Sequence, residues 1–372
     1  MIEGPHLSER PRMGELAGSV PSAPSPDDRR RAGLKDVARL AGVSVKTVSN
    51  VVNDYEHVTP KTRARVEQAI KELNYRPNLS ARNLRKGRSG IIALAVPELD
   101  IPYFAELARL IVTAAEERGL TVLIDQTGGN REREQLVAEG IRDHLIDGLI
   151  FSPLALTADD LSARTDDTPM ILLGERIHNG PADHVVVRNV DAAMEATLHL
   201  VALGRRRIAA IGAQESAAGE TARLRLTGYR QALAEAGLPS DASLIAPVAA
   251  YHRADGARAM ARLLDSADPP DAVFCFNDLL ALGALRTLLE RGHEVPAQVA
   301  LAGFDDIEDG RYGTPTLTTI APDKQQIGRQ AVDLLMERMS GRAQGAARQV
   351  YVDHRLVIRE STVGRGRVSY QV

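Results

Sequence analysis

Tryptophan is absent from this chain, cysteine occurs once, and aromatic residues make up only 3% of its 372 positions. An interior so poor in rings must be filled by Ala, Val, Leu and Ile, within a hydrophobic content of 44%. The single cysteine, Cys275, excludes both a disulfide framework and a Cys-rich zinc site and suits a reducing compartment. No apolar run approaches the roughly 20 residues that span a bilayer. Pro, Ser and Arg interrupt the amino-terminal stretch where a signal peptide would carry its apolar core. Secreted and membrane classes are therefore excluded, and a cytoplasmic location is expected. No phosphate-binding P-loop, Gly-x-Ser-x-Gly elbow or His-Glu-x-x-His pair occurs, and the nine histidines are scattered. No catalytic, cofactor or metal site is expected.

What the chain does have is a charge asymmetry hidden in a net charge of −3. Residues 34–88 hold 12 Lys and Arg against 5 Asp and Glu, a net +7, and residues 1–33 are balanced at five of each. Residues 89–372 are left with −10. A small basic module on a large acidic body points to nucleic-acid binding confined to one end.

Residues 1–33, with Pro-Ser-Ala-Pro-Ser-Pro at 21–26, read as a disordered leader. Residues 34–77 read as three short helices. The first runs from Lys35 to Ala41 with Val37, Ala38 and Ala41 inward, and Gly42 supplies the turn that ends it. Ser44 caps a second helix reaching about Asn53 and burying Val48 and Val52. Thr59 caps a third with Pro60 at its first position, burying Val66, Ile70 and Leu73. Two helices joined by a tight turn and braced by a third form a helix-turn-helix domain. From Gly90 onward apolar runs alternate with amphipathic helices. Strands are predicted at 91–96, 121–124, 148–151, 170–173, 208–212, 272–276 and 299–303. Helices are predicted at 104–118, 131–144, 192–203, 254–264 and 279–291. That alternation predicts parallel, doubly wound sheets. The body is too long for one sheet, so two lobes with a cleft are expected. Asn277 and Asp305 each follow a strand, at the carboxyl edge where such sheets bind ligands.

The run Leu34-Lys-Asp-Val-Ala-Arg-Leu-Ala-Gly-Val-Ser-Val-Lys-Thr-Val-Ser-Asn-Val-Val-Asn53 resembles the amino-terminal signature of LacI/GalR-family transcriptional regulators. Asn74-Tyr-Arg-Pro-Asn78, Arg223-Leu-Arg-Leu-Thr-Gly-Tyr229, Phe276-Asn-Asp278, Gly303-Phe-Asp-Asp306 and Leu317-Thr-Thr-Ile320 follow in that family's order. The resemblance covers Leu34 to about Ser361. It implies a multidomain chain: an all-α helix-turn-helix domain plus an α/β periplasmic-binding-protein-like body of two lobes. The expected divisions are 34–77 for DNA binding, 78–89 for a hinge helix, 90–361 for effector binding and dimerisation, and 362–372 for a tail.

On the second helix, Val45, Lys46, Ser49 and Asn50 share one exposed face. Asn50 can pair bidentately with adenine, Lys46 can donate to guanine, and Val45 can pack on a thymine methyl. Thr47, His57, Thr59, Lys61 and Thr62 read as phosphate contacts, which fix register without reading sequence. By resemblance, Leu84 of the hinge wedges into the minor groove, and Ala81 lets two hinges of a homodimer approach. By the same resemblance Arg225, Asn277 and Asp305 form the effector site, with Phe104 and Tyr251 as stacking surfaces; Tyr103 reads equally as packing or pocket. The implied partners are pseudo-palindromic double-stranded operator DNA, a second copy of the chain and a small-molecule effector, a sugar, that releases the DNA. A corepressor-dependent regulator binding a nucleobase is the runner-up reading, and a solute-binding protein a weaker one. Two departures stand out. Arg188-Asn189 replaces the family's usual Asp-Asn, placing a cation near the cleft. Leu173-Gly-Glu-Arg176 replaces the more frequent Ile-Asp-Arg, leaving Glu175 and Arg176 unmatched.

Overall fold

A computed structural model describes residues 32–52, 55–75, 88–140, 145–177, 180–214 and 219–365. The chain divides into two compact units, residues 1–82 and 83–372. The expected leader and hinge fall almost wholly outside the described residues, as does most of the tail.

In the first unit, α1 (Leu34–Ala41) ends where Gly42 adopts a φ of 63°. That left-handed conformation is the one glycine enters without steric cost. The Ser44 hydroxyl accepts from the Thr47 N–H at 3.0 Å and starts α2 (Val45–Val52). Thr59 accepts from the Thr62 N–H at 3.4 Å and starts α3 (Pro60–Glu72). The three helices meet on Val37, Ala38, Ala41, Val48, Val51, Val66 and Ala69. Two sequence expectations shift here. On α2 the buried partner of Val48 is Val51, with Val52 half-buried; on α3 Ala69 is buried, and Ile70 and Leu73 are half-buried. In each case the helix presents a residue three positions on to the core, because neighbours at i and i+3 share a face. Arg65 fastens the turn from α3 by donating to the carbonyls of Ala41 and Gly42.

The second unit contains two six-stranded sheets. Lobe 1 uses β1 (Ile91–Val96), β2 (Thr121–Gln126), β3 (Gly148–Phe151), β4 (Met170–Leu173), β5 (Asp183–Val187) and β11 (Gln349–Val352), in the order β11-β5-β4-β3-β1-β2, all parallel. Lobe 2 uses β6 (Ile208–Ala213), β7 (Ile245–Pro247), β8 (Ala272–Cys275), β9 (Ala300–Phe304), β10 (Thr318–Pro322) and β12 (His354–Val357), in the order β12-β10-β9-β8-β6-β7. Only β12 runs antiparallel there. The chain passes between lobes three times: from β5 into the helix Asn189–Ala202, from β10 into the helix Lys324–Met339, and from β11 to β12.

Strands β3, β4, β8 and β9 are buried along their whole length, as parallel strands covered by helices on both faces must be. Small side chains let those helices approach. A Cβ on Gly256 would collide with the Leu280 carbonyl, and one on Gly283 with the Arg253 carbonyl, so the helices Arg253–Leu264 and Asp278–Glu290 lie against each other backbone to backbone. The helix predicted over 131–144 stops at Ala138, two residues before Gly140 takes a φ of 79°. The body also continues past Ser361: the helix Glu360–Val363 docks on lobe 2, where the hydroxyls of Thr362 and Thr318 lie 2.7 Å apart.

Candidate functional site

On the first unit, α2 turns Val48 and Val51 inward, which leaves Val45, Lys46, Ser49 and Asn50 on the other side. Val45 and Lys46 are exposed, and Ser49 and Asn50 half-buried. Of the residues expected on phosphates, His57 and Lys61 are exposed, His57 standing edge-on to the Tyr55 ring. The three threonines already serve the fold. The Thr47 hydroxyl lies 2.8 Å from that of Ser44, and Thr59 donates to the Thr62 hydroxyl at 2.9 Å besides capping α3. Their oxygens sit at helix starts, where backbone N–H groups also favour anions. Ala81 and Leu84 lie outside the described residues.

In the second unit, a cavity of about 400 Å³ opens between the lobes. All five residues expected at the effector site line it: Phe104, Arg225, Tyr251, Asn277 and Asp305. Their side chains are not equally available. Asn277 caps the helix Asp278–Glu290 by accepting from Leu280 N–H at 2.8 Å, and its amide donates to the Tyr251 carbonyl at 3.1 Å. The Tyr251 hydroxyl donates to the Gly212 carbonyl at 2.9 Å, so its ring rather than its hydroxyl is left for the cavity. Arg225 donates from Nε to Asn189 Oδ1 at 2.7 Å and from Nη1 to the Phe276 carbonyl, and its guanidinium carbon lies 3.4 Å from the centre of the Phe304 ring.

Asp305 is the exception. It is buried, its Oδ1 stands 4.0 Å from Arg225 Nη2, and among the described residues its carboxylate accepts no hydrogen bond. Its backbone has a φ of 111° and that of Asp306 a φ of 49°, a strained pair for residues with side chains. The surroundings hold this turn in place. Asp305 N–H donates to the Ile320 carbonyl at 2.8 Å, Lys324 Nζ donates to the Asp305 and Asp306 carbonyls at 2.8 and 3.1 Å, and the Asp306 carboxylate is gripped by Arg359 at 2.6 Å and Arg311 at 2.9 Å. Burial pushes the Asp305 carboxyl up to about 6, with Arg225 and Lys324 opposing and Glu175 adding to the rise.

Of the further polar groups here, Glu175 and Tyr103 were named in the sequence without an assigned place, whereas Glu98, His252 and Asp278 were not singled out. Glu175, at the carboxyl end of β4, lines the cavity; it accepts from Val187 N–H at 3.2 Å and from the Thr221 hydroxyl of lobe 2 at 2.9 Å. The strand-edge rule that finds Asn277 and Asp305 applies to it equally. Tyr103 also lines the cavity, and its ring meets that of Phe104 edge-on with centroids 5.3 Å apart. At the mouth, His252 Nε2 of lobe 2 faces Glu98 Oε2 of lobe 1 at 3.6 Å. Behind the site Asp278 is fully buried, accepting from Thr319 Oγ1 at 2.7 Å and Ile307 N–H at 2.9 Å; burial, with Asp305 nearby, holds its carboxyl well above the usual range. Arg188 follows the cavity residue Val187, and its guanidinium stacks 4.6 Å from the centre of the Tyr351 ring, on the β11 side of the first crossover.

A three-helix DNA-binding unit and a two-lobed body with a polar cleft define a bacterial transcriptional regulator. The chain belongs to the lacI family of bacterial regulatory proteins: residues 33–78 match that family, and residues 197–362 match the periplasmic binding protein-like domain. The HTH-type transcriptional repressor PurR of Haemophilus influenzae is 34% identical over 334 residues, covering 89% of this chain and 98% of that protein. Among solved structures, the Lac repressor dimer bound to operator and the anti-inducer ONPF is 30% identical with a TM-score of 0.77, covering 90% of this chain and all of that one. The transcriptional regulator CelR in complex with cellobiose is 32% identical with a TM-score of 0.66, covering 89% of this chain and all of that one.

Proposed function

We propose that the protein is a cytoplasmic homodimeric repressor whose hold on a pseudo-palindromic operator is released by a sugar bound between the lobes. Val45, Lys46, Ser49 and Asn50 read bases in the major groove, and Thr47, His57, Thr59, Lys61 and Thr62 hold phosphates. Ala81 and Leu84, in a hinge over residues 78–89, complete the contact in the minor groove. In the body, Asp305 and Arg225 take the ligand's hydroxyls, Phe104 and Tyr251 pack its apolar faces, and Asn277 contributes the amide valences its cap leaves over.

The observation that carries the effector reading is Asp305: a buried carboxylate, strained into the cavity and accepting no hydrogen bond among the described residues. A hydroxyl-rich ligand supplies the missing donors, and each charge-assisted bond contributes about 1.5–3 kcal/mol. The cellobiose bound to CelR supports a sugar, and the operator-bound Lac repressor dimer supports two-fold DNA binding. No helix among the described residues is long and apolar enough to cross a membrane.

The test is a thermal-shift screen of sugars and nucleobases, followed by operator retardation with and without each hit. A sugar that raises the melting temperature and weakens operator binding is the expected result. A nucleobase that strengthens operator binding would replace this reading with the corepressor one.

A further inference from the structure

We propose that the cavity accepts a sugar without an anionic group and rejects its phosphate esters, and that Glu175 enforces the choice. This rests on the sugar reading above and adds the charge of the ligand. The cavity wall carries four carboxylates, Glu98 at the mouth and Glu175 on lobe 1, Glu220 and Asp305 on lobe 2, against two guanidiniums, Arg176 and Arg225. Arg225 spends Nε on Asn189 and Nη1 on the Phe276 carbonyl, and its Nη2 stands 4.0 Å from Asp305; Arg176 has interactions of its own within the protein.

Glu175 differs from the other acidic groups. It is 7% exposed, both its oxygens point to neutral donors, Val187 N–H and Thr221 Oγ1, and among the described residues no cation lies within ion-pair distance of it. Its carboxylate therefore borders the cavity without an ion-pair partner, and it reinforces the burial that holds Asp305 up. A neutral hydroxyl donates to such carboxylates and relieves them. A phosphate has almost nothing to donate at neutral pH, and in this low-dielectric space it meets more carboxylates than guanidiniums.

The experiment is calorimetry of the full-length protein with ribose, glucose, maltose and cellobiose, each paired with its phosphate ester on the primary hydroxyl. A parent sugar that binds at least about tenfold more tightly than its ester is the expected result. Glu175→Gln, which removes the charge and keeps the length of the side chain, should narrow that ratio several-fold by raising affinity for the ester. Glu98→Gln, at the open mouth, should narrow it less. An ester that binds as tightly as its parent, or esters that bind where parents do not, overturns the inference and leaves the sugar reading standing. Binding by neither member of any pair overturns both. If Glu175→Gln fails to fold, the wild-type ratio alone decides the charge of the ligand; a ratio unchanged in a folded Glu175→Gln overturns the assignment to this residue.

Discussion

Lowering the pH is the most direct perturbation of the effector site, because burial disfavours the ionised Asp305 carboxylate. With its carboxyl pushed up to about 6, the site is mostly ionised at pH 7 and mostly protonated at pH 5. If the ligand's hydroxyls bind the ionised form, the apparent Kd is multiplied by one plus the ratio of protonated to ionised protein. That factor is about 1.1 at pH 7 and about 11 at pH 5, so affinity falls about tenfold, or about 1.4 kcal/mol. The same burial has a consequence for stability. The folded value lies above the ordinary 3.8, so the folded protein binds this proton more tightly than the unfolded chain does. The carboxyl's contribution is then most favourable below the unfolded value and is lost as the pH rises through about 6, a cost of about 3 kcal/mol at pH 7. Asp305→Asn should therefore stabilise the ligand-free protein at pH 7 by up to about 3 kcal/mol while abolishing ligand binding. Calorimetric titrations at pH 5, 6, 7 and 8 with the sugar found in the screen, together with urea unfolding of both proteins, test each half. An affinity that is flat between pH 7 and 5, or an Asp305→Asn variant that binds normally, would refute the role assigned to this carboxylate.

Other expectations are read from other parts of the molecule. Asp183, fully buried, is held by Arg338 at 2.6 Å and Arg348 at 2.7 Å, and those bonds outweigh its burial to bring its carboxyl down to about 2. It contributes about 2 kcal/mol above the unfolded value, lost as the pH falls towards 2, so Asp183→Asn should cost a similar amount in urea unfolding at pH 7. Gly283→Ala forces the helices Arg253–Leu264 and Asp278–Glu290 apart and should lower stability by about 1–3 kcal/mol or more in the same assay. Asn50→Ala should cost about 1–3 kcal/mol on the preferred operator and relax one base position in a binding-site selection, whereas Lys61→Ala should weaken all sequences alike and flatten the salt dependence. Leu84→Ala should reduce operator affinity and bending while sparing non-specific binding; equal losses on both DNAs would count against a minor-groove wedge.

Much of this architecture was legible because its strands are apolar runs and its helix starts carry their own caps. The strands 91–96, 148–151 and 170–173 coincide with those predicted, and Ser44, Thr59 and Gly42 do what their residue types suggest. The strand Asp183–Val187 was not predicted; it opens with an acid, a residue type depleted in strands. The acid becomes compatible with a buried strand only through Arg338 and Arg348, more than 150 residues away in sequence. Among the cavity residues, strand-edge position identifies Asn277 and Asp305 alike but not their difference. One is a helix cap with its amide largely taken, and the other is held open to the cavity. That distinction depends on φ angles and partners that no spacing records. Arg188, which the sequence places near the cleft, also stacks on Tyr351, a partner 163 residues away that no spacing records.

The positions of Arg225 and Asp305, the two proposed ligand anchors, give a small molecule a route to act on the whole body. Arg225 reaches Asn189 at the first crossover between lobes, and Asn189 in turn donates to the Val187 carbonyl at 3.2 Å on the lobe 1 side. Asp305 offers its carbonyl to Lys324 at the second crossover, where the same ammonium pairs with Glu106 on the lobe 1 helix Pro102–Glu116. Both anchors belong to lobe 2, and both relays end on lobe 1. Phe104 and Glu175 face them from lobe 1, so a ligand can touch both sets only in some arrangements of the lobes. A ligand shifts such an equilibrium only by its differential affinity for the two states. One charge-assisted hydrogen bond made in only one arrangement supplies about 1.5–3 kcal/mol, which shifts the balance about 10- to 150-fold and falls within the usual range of allosteric coupling. A ligand that bonds to the Asp305 carboxylate in only one arrangement would couple occupancy of the cavity to the relative position of the lobes by that amount.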